Sequence, residues 1–287
     1  MVDVSISQGP AIPTRILRAA VRDPVLTGAV VFLAAAVFGC IFADWLAPYD
    51  PLQASLRFRS RPPSSQFWLG TDEQGRDILS RILFGLRLTL LTGFVGLVIG
   101  MTLGGLIGLS AAYFRRLDML LMRIIDVLLS FPAILLGLAI TGATGPGVGG
   151  IIIALAVSTV GPAARIARSA ALTVVAQDYV SGARMVGLTS GQILNRYVLR
   201  NCMPAIIVYG TLRFGQLILL GASLSFLGLG IAPPVPELGV MVSQGRALLL
   251  TAPHVSLIPC TAILLLVLSL NIVGDALRDV LDPQMKA

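Results

Sequence analysis

Reactive side chains are scarce in this chain. Its single lysine is Lys286 and its single histidine is His254. A phosphate-binding P-loop needs a lysine directly after its second glycine, so the chain carries no P-loop. One histidine excludes a two-histidine zinc motif and argues against a Ser-His-Asp triad. His254 itself is expected as a surface or interfacial side chain in an external loop. The three cysteines, Cys40, Cys202 and Cys260, lie in or beside apolar runs without CxxC spacing, and they read as small apolar fillers. Carboxylates are few and scattered. No catalytic residue and no metal site is expected, so the chain reads as a conduit or receptor rather than an enzyme.

Charge is equally sparse. Asp, Glu, Lys and Arg make up 12% of the 287 residues, against about a quarter in a soluble domain. None of them occurs in 24–43, 88–114, 127–164, 214–236 or 247–274. A membrane span takes roughly 20 apolar residues, so four of these windows hold one helix each. The window 127–164 is split by Thr141-Gly-Ala-Thr-Gly-Pro-Gly-Val-Gly-Gly150, a turn signal, and belongs to two. The result is an all-α polytopic membrane protein with spans near 24–43, 88–113, 119–141, 148–170, 203–228 and 256–276. The first 23 residues lack an apolar core with a cleavage site, which makes the first run a retained span.

Basic residues orient these spans. Arg15, Arg18 and Arg22 precede the first, Arg115 and Arg116 lie between the second and third, and Arg165, Arg168, Arg184, Arg196 and Arg200 lie at or between the fourth and fifth. The turn between the third and fourth has no charge. Positive charge accumulates inside, so both termini and the fourth-to-fifth connection are expected in the cytoplasm. Loop 44–87 would be external although it holds six arginines, balanced in part by five acids; long loops weigh less in orientation. The net charge of +7 is spread over such loops, and no nucleic acid is expected as a partner. The layout is a cytoplasmic tail 1–23, a first span 24–43, an external loop 44–87 with an amphipathic segment, a core 88–278 of five spans and a cytoplasmic tail 279–287.

Three features inside the spans stand out. Gly96, Gly100, Gly104 and Gly108 repeat every four residues, on one helix face, where glycines let another helix approach closely; the packing could be within the chain or against a partner subunit. Arg123 and Asp126 are three apart and spaced to pair on one helix face near the cytoplasmic boundary. Arg213 lies about ten residues into the fifth span. An arginine there faces a partner, a bundle interior or a water-filled cavity, so it either lines a passage or is structural.

The longest polar interruption within the core runs from Asp178 to Asn201. Its spacing predicts a short helix over 178–186, with Val180, Ala183 and Val186 or Gly187 on one side and Gly187 as terminator. Thr189-Ser-Gly-Gln192 fits a capping box, and Ile193, Leu194, Tyr197 and Val198 follow at helical spacing. An interfacial amphipathic helix has this composition too.

The same segment resembles the cytoplasmic Glu-Ala-Ala loop of ABC importer permeases, a Glu-Ala-Ala triplet followed after three residues by Gly. The matching positions here are Ser181-Gly182-Ala183 and Gly187. Gly70-Thr-Asp-Glu-Gln-Gly-Arg-Asp77 with Leu79-Ser-Arg81, Arg123 to Pro132, Leu224-Ser-Phe-Leu-Gly-Leu-Gly230 and Asn271-Ile-Val-Gly-Asp275 through Leu281-Asp-Pro283 are similar to the branch that moves dipeptides, oligopeptides and nickel. These motifs cover about 24–283 in order. Two positions depart from the pattern: the family's Glu is Ser181, and its Leu-Pro pair is Leu199-Arg200.

The resemblance implies a type I ABC importer permease fold in a bacterial inner membrane. It implies a homologous, non-identical permease as partner, two ATP-binding subunits and an external substrate-binding protein. ATP and magnesium would sit on those partner ATPases, with no cofactor on this chain. Tyr179, Ser181, Gly182, Ala183, Arg184, Gly187 and Leu188 would couple to the ATPase, within a lever spanning 178–199. Peptides are the expected cargo, with nickel or another small solute as the alternative. Two other classes share the hydropathy. A secondary transporter needs ionisable groups at the midplane, which these spans nearly lack, and a structural membrane subunit gives no reason for the motifs at 70–77 and 224–230.

Overall fold

The computed structural model describes residues 23–281; the tails at 1–22 and 282–287, with Arg15, Arg18, Arg22, Asp282, Pro283 and Lys286, lie outside the described residues. Among the described residues the regular secondary structure is helical apart from one isolated β-bridge between Thr71 and Asp77. Its helices are α1 (Pro24–Ile41), α2 (Ala43–Leu46), α3 (Ile78–Tyr113), α4 (Arg115–Leu129), α5 (Ala133–Thr144), α6 (Val148–Val175), α7 (Asp178–Met185), α8 (Ser190–Ile193), α9 (Arg200–Phe226), α10 (Leu238–Gly245) and α11 (His254–Leu281). Among the described residues, α1, α3, α6, α9 and α11 are each long and apolar enough to cross a membrane, and α4 with α5 make a bent sixth candidate.

Helix starts follow the caps. The Asp23 carboxylate accepts from the Val25 and Leu26 amides, with Pro24 in the first turn, the residue that helix entry tolerates best. α3 begins ten residues before the expected span at 88, because Asp77 caps it by accepting from the Ser80 amide at 2.8 Å. The extra turns carry Arg87, whose guanidinium donates to the Cys40 and Ile41 carbonyls at the end of α1, at 2.8 and 3.1 Å. A cation there complements the carbonyl end of the helix.

The central contact is α3 against α6. A carbon added at Gly96 would lie 2.7 Å from Leu155 Cβ, at Gly100 2.5 Å from Thr159 Cβ, and at Gly104 2.5 Å from the Val160 carbonyl oxygen. At Gly108 it would run into the Ala164 carbonyl. The ladder therefore faces α6 of its own chain, which offers Ala156, Ala163, Ala164 and Ala167 as buried small residues. Around this pair, α1, α3, α9, α10 and α11 share one apolar cluster that includes Ile78, Leu86, Ile218, Leu238, Val255 and Leu266.

The third span differs from expectation. It is not one helix over 119–141 but α4 and α5, bent by 87° at 130–132. Pro132 supplies no amide and disfavours helical geometry at Phe131. α4 is then free to lie with its polar side on α6. Arg168 makes a two-pronged contact with Asp118, Nε to Oδ1 and Nη2 to Oδ2, both at 2.6 Å. Asp126 pairs with Arg165, so the ion pair that the 123–126 spacing suggests is replaced by one between helices. The antiparallel course of α4 and α6 sets that order.

Gly104→Leu is expected to cost about 1–3 kcal/mol by overpacking and to lower the thermal midpoint of the detergent-solubilised protein. Gly105→Ala, where the added carbon meets nothing within 4 Å, should leave it unchanged or higher.

Candidate functional site

The polar connection between α6 and α9 folds as two short helices joined by a tight turn. α7 opens with Asp178 in its first turn, where the helix dipole favours a carboxylate. It closes in a Schellman arrangement: the Gly187 amide donates to the Arg184 carbonyl at 3.0 Å and the Leu188 amide to the Ala183 carbonyl at 3.2 Å. This needs a positive φ, +85° at Gly187, which glycine adopts without a Cβ clash. The next helix starts at once. Thr189 Oγ1 accepts from the Gln192 amide and Gln192 Oε1 accepts from the Thr189 amide, the reciprocal cap that the sequence signals. Leu194–Leu199 then runs as a π-helix into α9.

This element is held to the bundle from one side. Val180, Ala183, Ile193 and Val198 bury against Leu109 and Ala112 of α3, Ala171 of α6 and Cys202 of α9. The Arg184 guanidinium lies 5.2 Å from the centroid of the Tyr113 ring, and the Tyr113 and Ser190 hydroxyls are 3.4 Å apart. The other side is open: Met185 and Val186 are 85% and 84% exposed. Tyr179 and Ser181 are exposed too, and a carbon added at Gly182 would meet nothing within 4 Å. Val186 therefore does not share the buried side of Val180 and Ala183. Steps of three residues lag the 3.6-residue turn, and Val186 already sits at the helix end. Behind the turn, Leu188, Asn195, Arg196 and Arg200 help line an open groove of about 680 Å³.

Arg213 lies elsewhere, at the middle of α9. Its Nη2 donates to the Ser158 carbonyl at 3.0 Å and its Nη1 to Gln216 Oε1 at 2.7 Å, while its Nε is buried without a partner. The Ser158 carbonyl has a cause. Pro162 lies inside α6 and has no amide to return to the carbonyl four residues back. Arg213 supplies the missing donor. Neither Pro162 nor Ser158 stands out in the sequence, although a proline inside an apolar run is the signal that marks such a carbonyl.

At the opposite end of α3 from the α7–α8 element, the 70–81 motif builds a buried polar knot. Asp72 accepts from the Gln74 and Arg76 amides at 2.8 and 3.0 Å and from Arg76 Nε at 2.7 Å, and Arg81 Nε lies 3.5 Å away. Gln244 of α10 accepts from both guanidiniums at 3.4 and 3.3 Å. His254, expected as a surface or interfacial side chain in a loop, instead opens α11 and is half-buried; its ring lies against Gly70, close enough that a Cβ there would be 2.8 Å from Cδ2. Glu237 caps α10, accepting from the Gly239 and Val240 amides at 3.0 and 2.9 Å and from Thr89 Oγ1 at 3.2 Å. Gln244 and Glu237 are long-range partners with no local sequence signal. Among the described residues no group of three or more His, Cys, Asp or Glu is placed to hold a metal.

Gly187→Ala should cost about 1–2 kcal/mol through the left-handed conformation alone, since space around it is open. Hydrogen exchange at the 183–193 amides should speed up accordingly, and Gly182→Ala should not accelerate it.

Comparison with known proteins places this architecture. The chain is 42% identical over 266 residues to the di/tripeptide transport system permease protein DppC of Pseudomonas aeruginosa (strain UCBPP-PA14), covering 90% of this chain and 88% of that one. It is 42% identical over 270 residues to the glutathione transport system permease protein GsiD of Escherichia coli O6:K15:H31, covering 92% and 88%. The inward-facing MetNI methionine ABC transporter superposes with a TM-score of 0.53 at 23% identity, over 68% of this chain and 92% of that one, a likeness of fold. Residues 96–287 match the family described as binding-protein-dependent transport system inner membrane component. This chain belongs to that family: it is a multi-pass, all-α membrane permease of the ABC importer class.

Proposed function

We propose that this chain pairs with a homologous permease to form a passage for di- and oligopeptides, driven by two ATP-binding subunits on the cytoplasmic side and fed by an external binding protein. ATP and magnesium belong to those subunits, and both termini of this chain lie in the cytoplasm. The observation that carries the reading is the α7–α8 element. Its apolar tip at Met185 and Val186 is exposed while its base is packed onto the ends of α3, α6 and α9. A tip of that kind suits a protein groove, and a base of that kind passes any displacement to three spans together. The chain has no P-loop lysine to drive such movement itself.

Tyr179, Ser181, Gly182, Ala183, Arg184, Gly187 and Leu188 divide the work. Ala183 and Leu188 hold the base, Gly187 sets the turn, and Tyr179, Ser181, Gly182 and Arg184 border the exposed face. Ser181 brings no charge where the family has Glu, and Arg200 adds one beside Arg196 in the groove. The partner ATPase is therefore expected to meet this subunit with more negative charge than it shows the other permease. Small peptides as cargo are supported by the equal identity to relatives named for di/tripeptides and for glutathione.

Gly187→Pro removes the amide bonded to Arg184 and forbids the positive φ, and Ala183→Asp buries a carboxylate in an apolar cluster. Both should abolish ATP-dependent uptake in proteoliposomes while the protein remains in the membrane. Uptake at the normal rate by either variant would contradict the coupling role.

A further inference from the structure

The arginines paired with carboxylates in this chain lie toward the ends of the spans or in the loop before α3. Arg76 and Arg81 share Asp72, Arg87 has Asp44, Arg165 has Asp126 and Arg168 has Asp118. Arg213 differs from these five in its place along its helix. It lies 13 residues from either end of α9, roughly 20 Å by the helical rise, and among the described residues no carboxylate pairs with it. Its hydrogen bond to the Ser158 carbonyl is accounted for by Pro162 and uses one nitrogen. Gln216 takes a second, and Nε is left buried without an acceptor.

The surroundings show which way this cation looks. Gln216, one turn on, is exposed, and so is Leu219 on the same strip of α9. This strip therefore faces out of the chain's own core. A guanidinium beside an exposed amide is costly against lipid and persists where it meets a polar cavity or a protein partner. Gln216 Oε1 is already occupied by Arg213, so its amide NH₂ is free to donate beside the guanidinium. Together they present a cation and a neutral donor with no anion, which is the complement of a carboxylate.

We propose that Arg213, positioned by the Ser158 carbonyl and assisted by Gln216, receives the carboxylate of the peptide as it crosses the middle of the passage. The inference rests on the peptide reading above and adds the group on the cargo that this subunit recognises. A peptide's terminal carboxylate must leave water to pass the midplane, and a charge-assisted hydrogen bond offsets that loss. The bond to Ser158 keeps the long side chain in one orientation, so little freedom is lost when cargo arrives.

The test uses the complete transporter in liposomes with its binding protein, given a tripeptide with a free carboxylate or its C-terminal amide. Arg213→Gln should lower uptake of the free acid by about tenfold or more, the scale of one charge-assisted bond, and lower uptake of the amide much less. Arg213→Lys should retain part of the acid uptake. The binding protein is common to all samples, so its own preference cancels in the comparison of permeases. The double variant Arg213→Gln with Pro162→Ala separates recognition from structure, because alanine in place of the proline returns an amide to the Ser158 carbonyl. No recovery of acid uptake is expected. Recovery in the double variant, or an equal fall for acid and amide, would overturn the proposal and leave Arg213 with a structural role or a partner carboxylate. If the binding protein refuses the amide, the double variant decides alone. Absence of ATP-driven uptake of either peptide by the unaltered transporter would instead overturn the peptide reading, and the inference with it.

Discussion

The close approach of α3 and α6 is the contact on which the other positions depend. Two helices meet backbone to backbone because four glycines leave no side chain between them. In a bilayer, apolar burial adds little to helix association, and tight packing of small residues supplies it instead. With α6 fixed in this way, its C-terminal half presents Arg165 and Arg168 to α4, and its middle turns the Ser158 carbonyl toward α9. The C-terminal end of α3 carries Leu109, Ala112 and Tyr113, on which the α7–α8 element rests. One interface thus places the ion pairs, Arg213 and the base of the α7–α8 element.

The α7–α8 element shows how local chemistry can fix a turn between helices with few residues. A Schellman end at Gly187 runs directly into a capping box at Thr189. Only Leu188 separates the glycine from the capping threonine, so the direction of one helix is fixed relative to the other. The segment beyond this element departs from regular α-helical hydrogen bonding. The π-helix at 194–199 precedes Pro204, which also lies inside α9. Rearranged hydrogen bonding of this kind is common at functional sites, and here it joins the α7–α8 element to the helix that carries Arg213.

Much of this was legible in the sequence because the signals are local. Charge-free windows locate the straight spans, and the four-residue glycine ladder names its own face. Gly187, Thr189 and Gln192 announce the turn and the cap that the structure contains. The rest depended on contacts between distant segments. Pro132 is visible in the sequence, but the size of the bend, 87°, goes with ion pairs between α4 and α6 that have no local pattern. Asp126 is close in sequence to Arg123 and distant from Arg165, and only the packing of helices selects the second. Val186 reads as a buried position by spacing and emerges exposed because its helix has ended. Arg213 was conspicuous, whereas its partner carbonyl at Ser158 became meaningful only when Pro162 was seen one turn away in α6. Gln244 and Glu237 carry no pattern; their importance comes from the buried arginines and the helix start that they serve.

The apolar tip of the α7–α8 element is, on this account, the cytoplasmic handle for an ATPase subunit. The direct measurement is cysteine reactivity at Val186→Cys, in a chain whose Cys40, Cys202 and Cys260 are replaced by alanine. A membrane-impermeant maleimide should label position 186 in inside-out vesicles lacking the ATPase. The assembled transporter should protect it, and a short bifunctional reagent should link it to the ATPase subunit. Labelling from the outside of intact cells, or equal labelling with and without the ATPase, would contradict the account.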